Sequence, residues 1–153
     1  MKKNLQQGFT LIELLVVIGI IAVLAAIVLI AINPKRQFQQ ANNAQRSSNL
    51  NAILNAYGQQ LADNKGSTCV SGVPTAPTAA VDIKNGGADF SCLTPTYISQ
   101  LPFDPKSGSG FHWTSNTDYD TGYFAQYDSA GRLTISAPNT DVPPAAATLS
   151  VTR

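Results

Sequence analysis

Residues 14–32 read Leu-Leu-Val-Val-Ile-Gly-Ile-Ile-Ala-Val-Leu-Ala-Ala-Ile-Val-Leu-Ile-Ala-Ile, 19 positions without a charge or a strongly polar side chain. As a helix rising about 1.5 Å per residue, the run spans roughly 28 Å, close to the ~30 Å hydrocarbon core of a bilayer. It is apolar on every side, which suits lipid or the dry centre of a helix bundle rather than the surface of a globule. Gly19, Ala22, Ala25 and Ala26 supply small side chains that let helices approach closely in lipid. Directly before the run stands Glu13, the only glutamate in the chain. A carboxylate near the centre of a spanning helix costs about 2.5–3.5 kcal/mol on insertion scales, and such residues usually face protein rather than lipid. Glu13 therefore calls for a partner.

The preceding residues are Met-Lys-Lys-Asn-Leu-Gln-Gln-Gly-Phe-Thr-Leu-Ile. Gly8 has no side chain to obstruct a peptidase, and Lys2 and Lys3 favour a cytoplasmic leader by the positive-inside rule. From Lys2 to about Pro34 the sequence resembles the class III leader of type IV prepilins and pseudopilins. The resemblance implies that a membrane-bound prepilin peptidase cuts after Gly8 and methylates the new amine of Phe9, and that Glu13 is the residue of filament assembly. The methylated amine keeps its charge, so the Phe9 amine of an incoming subunit is the natural mate for Glu13. Two other readings stand beside this one. A secretory signal would be cleaved after the apolar segment, where Ala31-Ile32-Asn33-Pro34 is a poor match. A plain single-pass anchor would place Glu13 near the interface, where it stays wet.

The rest of the chain has room for one modest domain, rich in Ser, Thr, Asn, Gln, Gly and Ala, which reads as a soluble extracytoplasmic head. Ten basic residues face nine acidic ones for a net charge of +1, and loss of Lys2 and Lys3 leaves eight against nine, or −1. The basic residues are scattered, whereas phosphate-driven binding needs them clustered, so no direct nucleic-acid binding is expected. Cys69 and Cys92, the only cysteines, both fall in the head, where an oxidising compartment favours a disulfide. Free thiols are one alternative. A metal pair is another, with only His112 to join it.

From residue 9 to about residue 63 the chain reads as one long helix interrupted at Asn33-Pro34, because proline removes a donor and residue 33 is pushed out of the helical region. Leu50, Ile53, Leu54, Tyr57 and Leu61 make one apolar stripe suited to packing on a sheet. The earlier half, around Ala41 and Ala44, has a weak stripe and is expected to face neighbouring subunits. Asn64-Lys65-Gly66 gives a stop, with a glycine available for a left-handed cap. Residues 66–95 form a Gly/Pro/Ser/Thr-rich loop bracketed by the cysteines, with a short strand around Val81 and Ile83. Tyr97-Ile98-Ser99-Gln100-Leu101-Pro102-Phe103-Asp104-Pro105 suggests a helical turn entering a proline-fixed loop. Strands are expected at 111–114, 122–127 and 132–137, the last two around an Asp128-Ser129-Ala130-Gly131 turn, and a further edge strand at 148–153. Residues 142–147 of the tail are proline- and alanine-rich.

Catalytic patterns are wanting. His112 stands beside Trp113 without a nucleophile or carboxylate pattern, Gly108-Ser109-Gly110 lacks the lysine and helix of a phosphate loop, and a reactive Cys69 or Cys92 would need a low-pKa setting. The chain is accordingly not expected to be an enzyme or to need a cofactor. Calcium is the one metal weighed: Asn116, Asp118 and Asp120 place oxygens at alternate positions before Gly122, as calcium prefers. The glycine comes one residue late for an EF-hand and Tyr127 takes the place of the final glutamate, so the expected account is a solvated aspartate turn.

The resemblance implies an α+β, type IV pilin-like fold: a long N-terminal helix, apolar then amphipathic, packed on a small antiparallel sheet. It divides the chain into a leader (1–8), a transmembrane and filament-core helix (9–34) and a head (35–153), with an amphipathic helix to 64, the bracketed loop 65–95, and sheet and tail 96–153. The implied function is a structural subunit of a type IV pilus, inserted as a single-pass cytoplasmic-membrane precursor and polymerised into a surface or periplasmic filament. Implied partners are other copies of itself, minor pilins, the prepilin peptidase, an inner-membrane assembly platform, and lipid before assembly. The alternatives are a pseudopilin of type II secretion or competence and, from a different class, a single-pass anchored binding protein.

Overall fold

The computed structural model describes residues 8–106, 108–138, 140–141 and 148–153. Leader residues 1–7 and tail residues 142–147 lie outside them. The chain divides into two compact units, Met1–Gln37 and Phe38–Arg153.

The first unit is dominated by α1 (Leu11–Ile32). Its end is local chemistry: Asn33 takes the left-handed conformation at φ 43°, which asparagine tolerates better than most residues. Helix α2 (Pro34–Asp63) then starts on a proline at its first position, where a missing amide donor costs no helical bond. The Arg36 amide donates to the Asn33 carbonyl at 3.1 Å and to its Oδ1 at 3.4 Å, so Asn33 closes one helix and caps the next.

In the second unit Leu50, Ile53, Leu54 and Tyr57 of α2 are buried and Leu61 partly so, as the stripe predicts. The earlier half of the helix departs from expectation. Arg46 is fully buried and Asn49 nearly so, and the inward face continues past the stripe in polar residues. At the other end Lys65 (φ 54°) and Gly66 (φ 86°) turn left-handed, and the Gly66 amide reaches back to the Leu61 carbonyl at 2.7 Å. That six-to-one bond is the Schellman cap, with Lys65 rather than the glycine in its left-handed position.

Five strands form one antiparallel sheet: β1 (Val81–Lys84), β2 (His112–Ser115), β3 (Asp118–Tyr127), β4 (Leu133–Ala137) and β5 (Leu149–Thr152). The order is β1-β3-β4-β5, with β2 also paired to β3. Alternation sends Tyr119, Tyr123, Ala125, Leu133, Ile135 and Ala137 into the core with the α2 stripe. The β3–β4 turn is held by Asp128, whose Oδ1 accepts the amides of Ala130 at 2.9 Å and Arg132 at 2.8 Å. Two expectations shift. β3 begins at Asp118, four residues early, which turns part of the expected aspartate turn into strand. The short helical turn lies at Ser91–Leu93 instead of 97–101.

The bracketed loop is stapled by a disulfide between Cys69 and Cys92, with Cα atoms 6.2 Å apart. It buries Val70, Ala88, Phe90 and Leu93 in the core. The Tyr119 hydroxyl donates to Asp89 Oδ1 at 2.8 Å and accepts the Phe90 amide at 3.1 Å, which ties the loop to β3.

Candidate functional site

The first turn of α1 is the region that sequence marks for processing and assembly. Thr10 is its N-cap, in extended conformation at φ −82° and ψ 152°. The Glu13 amide donates to Thr10 Oγ1 at 3.3 Å, while Glu13 Oε2 accepts both the Thr10 amide and the Thr10 hydroxyl at 2.8 Å. This reciprocal capping box satisfies two of the orphan donors at a helix start, and the helix dipole favours a carboxylate there. Glu13 therefore has a partner within its own chain. Thr10 escaped the sequence reading, although Thr10-x-x-Glu13 before an apolar run is the signature of that box.

Phe9 projects with 87% of its surface exposed. From there the span Leu11–Ile30 has a mean hydropathy of 3.1, and none of it is buried within the chain. Its large apolar side chains are at least half exposed, from Val17 at 50% to Ile30 at 85%. A continuous exposed apolar surface of this size exceeds what a soluble monomer tolerates and calls for a cover of lipid or protein. Only about 20 residues of helix are needed to cross a bilayer, and this one has them.

The description "prokaryotic N-terminal methylation motif" matches residues 3–29. The chain carries a class III prepilin leader, the mark of the type IV pilin and pseudopilin family. No curated protein and no solved structure matches the chain. The match ends at residue 29, so the prepilin's head is interpreted from its own residues.

Other residues singled out in the sequence fall apart in space or serve the fold. Asn116, Asp118 and Asp120 each have another partner: Thr94 Oγ1 donates to Asn116 Oδ1 at 2.6 Å, His112 Nε2 lies 3.2 Å from Asp118 Oδ1, and Asp120 Oδ1 accepts the Gly122 amide at 3.0 Å. Among the described residues no group of three or more His, Cys, Asp or Glu side chains is placed to hold a metal. His112, read in sequence as lacking a carboxylate, has Asp118 after all. Its Nδ1 lies 2.7 Å from the Gly110 carbonyl, and that carbonyl and Asp118 together raise its pKa above the usual histidine value.

The residue that sequence missed altogether is Arg46. Its Nε and Nη2 donate to Asp104 Oδ2 and Oδ1 at 2.8 and 2.9 Å, a bidentate pair with both side chains fully buried. Its Nη1 donates to Asn43 Oδ1 at 2.7 Å and Asp141 Oδ2 at 3.0 Å. Beside it, Asn49 Nδ2 donates to the Phe103 carbonyl at 3.0 Å and the Tyr123 hydroxyl at 2.8 Å. The Leu-Pro-Phe-Asp-Pro loop thus serves as the receptor for a helix arginine. Burial, outweighing Asn49 and aided by Asp104, pushes the Tyr123 hydroxyl up to about 12.

Proposed function

We propose that this prepilin is a structural subunit of a type IV pilus, cut after Gly8, N-methylated at Phe9 and polymerised through α1. The observation that carries the reading is the methylation motif on an uncovered apolar helix with a capped acid in its first turn. Before assembly, lipid covers the helix in a single span with the head outside the cytoplasm. In the filament, neighbouring copies of α1 replace the lipid. That exchange gains packing rather than hydrophobic free energy, since lipid tails are already apolar. Glu13 would then exchange its Thr10 contacts for the charged Phe9 amine of the next subunit and fix the register. The work is assembly rather than catalysis, without a cofactor. It requires the prepilin peptidase, an inner-membrane platform, minor pilins and further copies of the chain, and no direct contact with nucleic acid.

Pseudopilins of secretion or competence carry the same kind of leader, and an abundant surface fibre containing this chain separates the two readings. Sequencing the mature N-terminus tests processing: methylated Phe9 is expected, and any other start removes the proposal together with the assembly role of Glu13. Electron microscopy of cells with and without the chain then tests the filament itself.

A further inference from the structure

The inward face of α2 changes chemistry half-way along its length. From Leu50 onward it is buried through apolar contacts. Over residues 42–49 it is held by polar contacts: Arg46 to Asp104 and Asp141, Asn42 Nδ2 to Asp141 Oδ2 at 3.2 Å, and Asn49 to Phe103 and Tyr123. The Asp141 amide closes the group by donating to Asn43 Oδ1 at 3.3 Å. The partners come from two separate segments, the loop after Leu101 and the stretch between β4 and β5, and both converge on Arg46.

We propose that residues 42–49 of α2 form a polar clasp with Asp104 and Asp141 that opens as a unit while the apolar stripe stays docked. The physical ground is what water does to each half. When the clasp parts, one guanidinium, two carboxylates and three amides recover hydration, which offsets most of the lost bonds; the net worth of buried pairs is small for that reason. When the stripe parts, Leu50, Ile53, Leu54 and Tyr57 gain no such compensation. Opening therefore stops where the face turns apolar. It releases the first half of α2 and the segment around Asp141 together, with the sheet and core intact, a sub-global unit of lower stability than the whole.

Hydrogen–deuterium exchange of the full chain in detergent micelles at neutral pH, read by mass spectrometry, tests this. Amides of 42–49 are expected to exchange roughly tenfold or more faster than those of 53–61, as a separate cooperative unit. Asp104→Asn is expected to speed 42–49 and Asp141 together while leaving 53–61 unchanged. Should Asp104→Asn fail to fold, Asn42→Ala removes one clasp bond and gives the same readout. A single protection level across 42–61 in the wild-type chain overturns the clasp. Acceleration of 53–61 in step with 42–49 does so equally.

Discussion

Replacing Arg46 isolates how a buried charge is kept in this head. Arg46→Met removes the guanidinium but keeps a long apolar stem, so the change is chiefly electrostatic. Asp104 is then left fully buried, with the Lys106 amide at 2.9 Å as its remaining donor. Removing one partner of a buried pair costs about 3–5 kcal/mol because the other charge stays uncompensated. A unit the size of Phe38–Arg153 shifts its melting temperature by about 4 °C per kcal/mol, so the loss is roughly 12–20 °C. The reverse deletion should be milder. In Asp104→Asn the guanidinium retains Asp141 and Asn43, and the loss is nearer the ~1.5–3 kcal/mol of a charged hydrogen bond. The double variant Arg46→Met/Asp104→Leu should recover most of the single losses, since an apolar replacement of a buried pair is often close to neutral. Thermal and urea unfolding of the full chain in detergent, followed by near-ultraviolet circular dichroism, reads all three. Losses below about 1 kcal/mol for Arg46→Met, or a double variant worse than the sum of the singles, would refute the reasoning.

Glu13→Ala should leave insertion of the precursor intact and abolish filament assembly; normal filaments in micrographs of that variant remove the charge-pair role. Cys69→Ser with Cys92→Ser opens a loop with a sequence separation of 23 and should cost about 3 kcal/mol in the chain-entropy treatment, seen as a lower melting temperature without a reductant. His112 has a raised pKa, so the stability it contributes is full below its ordinary value of 6.5 and fades as pH rises through the folded value; the difference in melting temperature between wild type and His112→Ala should shrink over that interval. Asp141 runs the other way: burial pushes its carboxyl up, but Asn42 and Arg46 outweigh it and the net shift is downward. Its contribution is therefore present above the model value of 3.8 and lost as pH falls through the folded value, and a wild-type chain no less stable in that acid range than Asp141→Asn counts against it. Gly122→Ala places a Cβ 2.6 Å from the Phe111 ring at φ +69°, and the strain should lower stability by about 1–3 kcal/mol, against no change if Phe111 moves freely.

What could be read in the sequence was whatever repeats with a period or punctuates one. The α2 stripe, the alternation in β3 and β4, the Asp128 turn and the pairing of the cysteines are all local or compositional signals, and each has its counterpart in the structure. Arg46 could not be read in this way. An arginine among asparagines and glutamines looks like a solvated face, and its acceptors lie 58 and 95 residues further along the chain. β3 gained its early start for a similar reason. Tyr119 is drawn inward by Asp89 and Trp113, contacts beyond any window of sequence, while Asp118 and Asp120 flank it as if in a turn. Thr10 is the contrary case, a capping box written in four consecutive residues and obscured by attention to Glu13 alone.

Glu13 and Arg46 show two solutions to one physical problem, and the difference bears on function. Both are charges where a charge is costly, one on an apolar helix and one in a protein core. Arg46 is satisfied by acceptors held in place by the folded head, so its bonds last as long as that fold. Glu13 is satisfied by Thr10, three residues away on an exposed surface, where a cation from another chain competes without unfolding anything. The head thus closes its electrostatics internally, while α1 leaves its apolar surface uncovered and its acid exchangeable. A helix of that kind is completed by its surroundings, first lipid and then, on the proposed reading, another copy of itself.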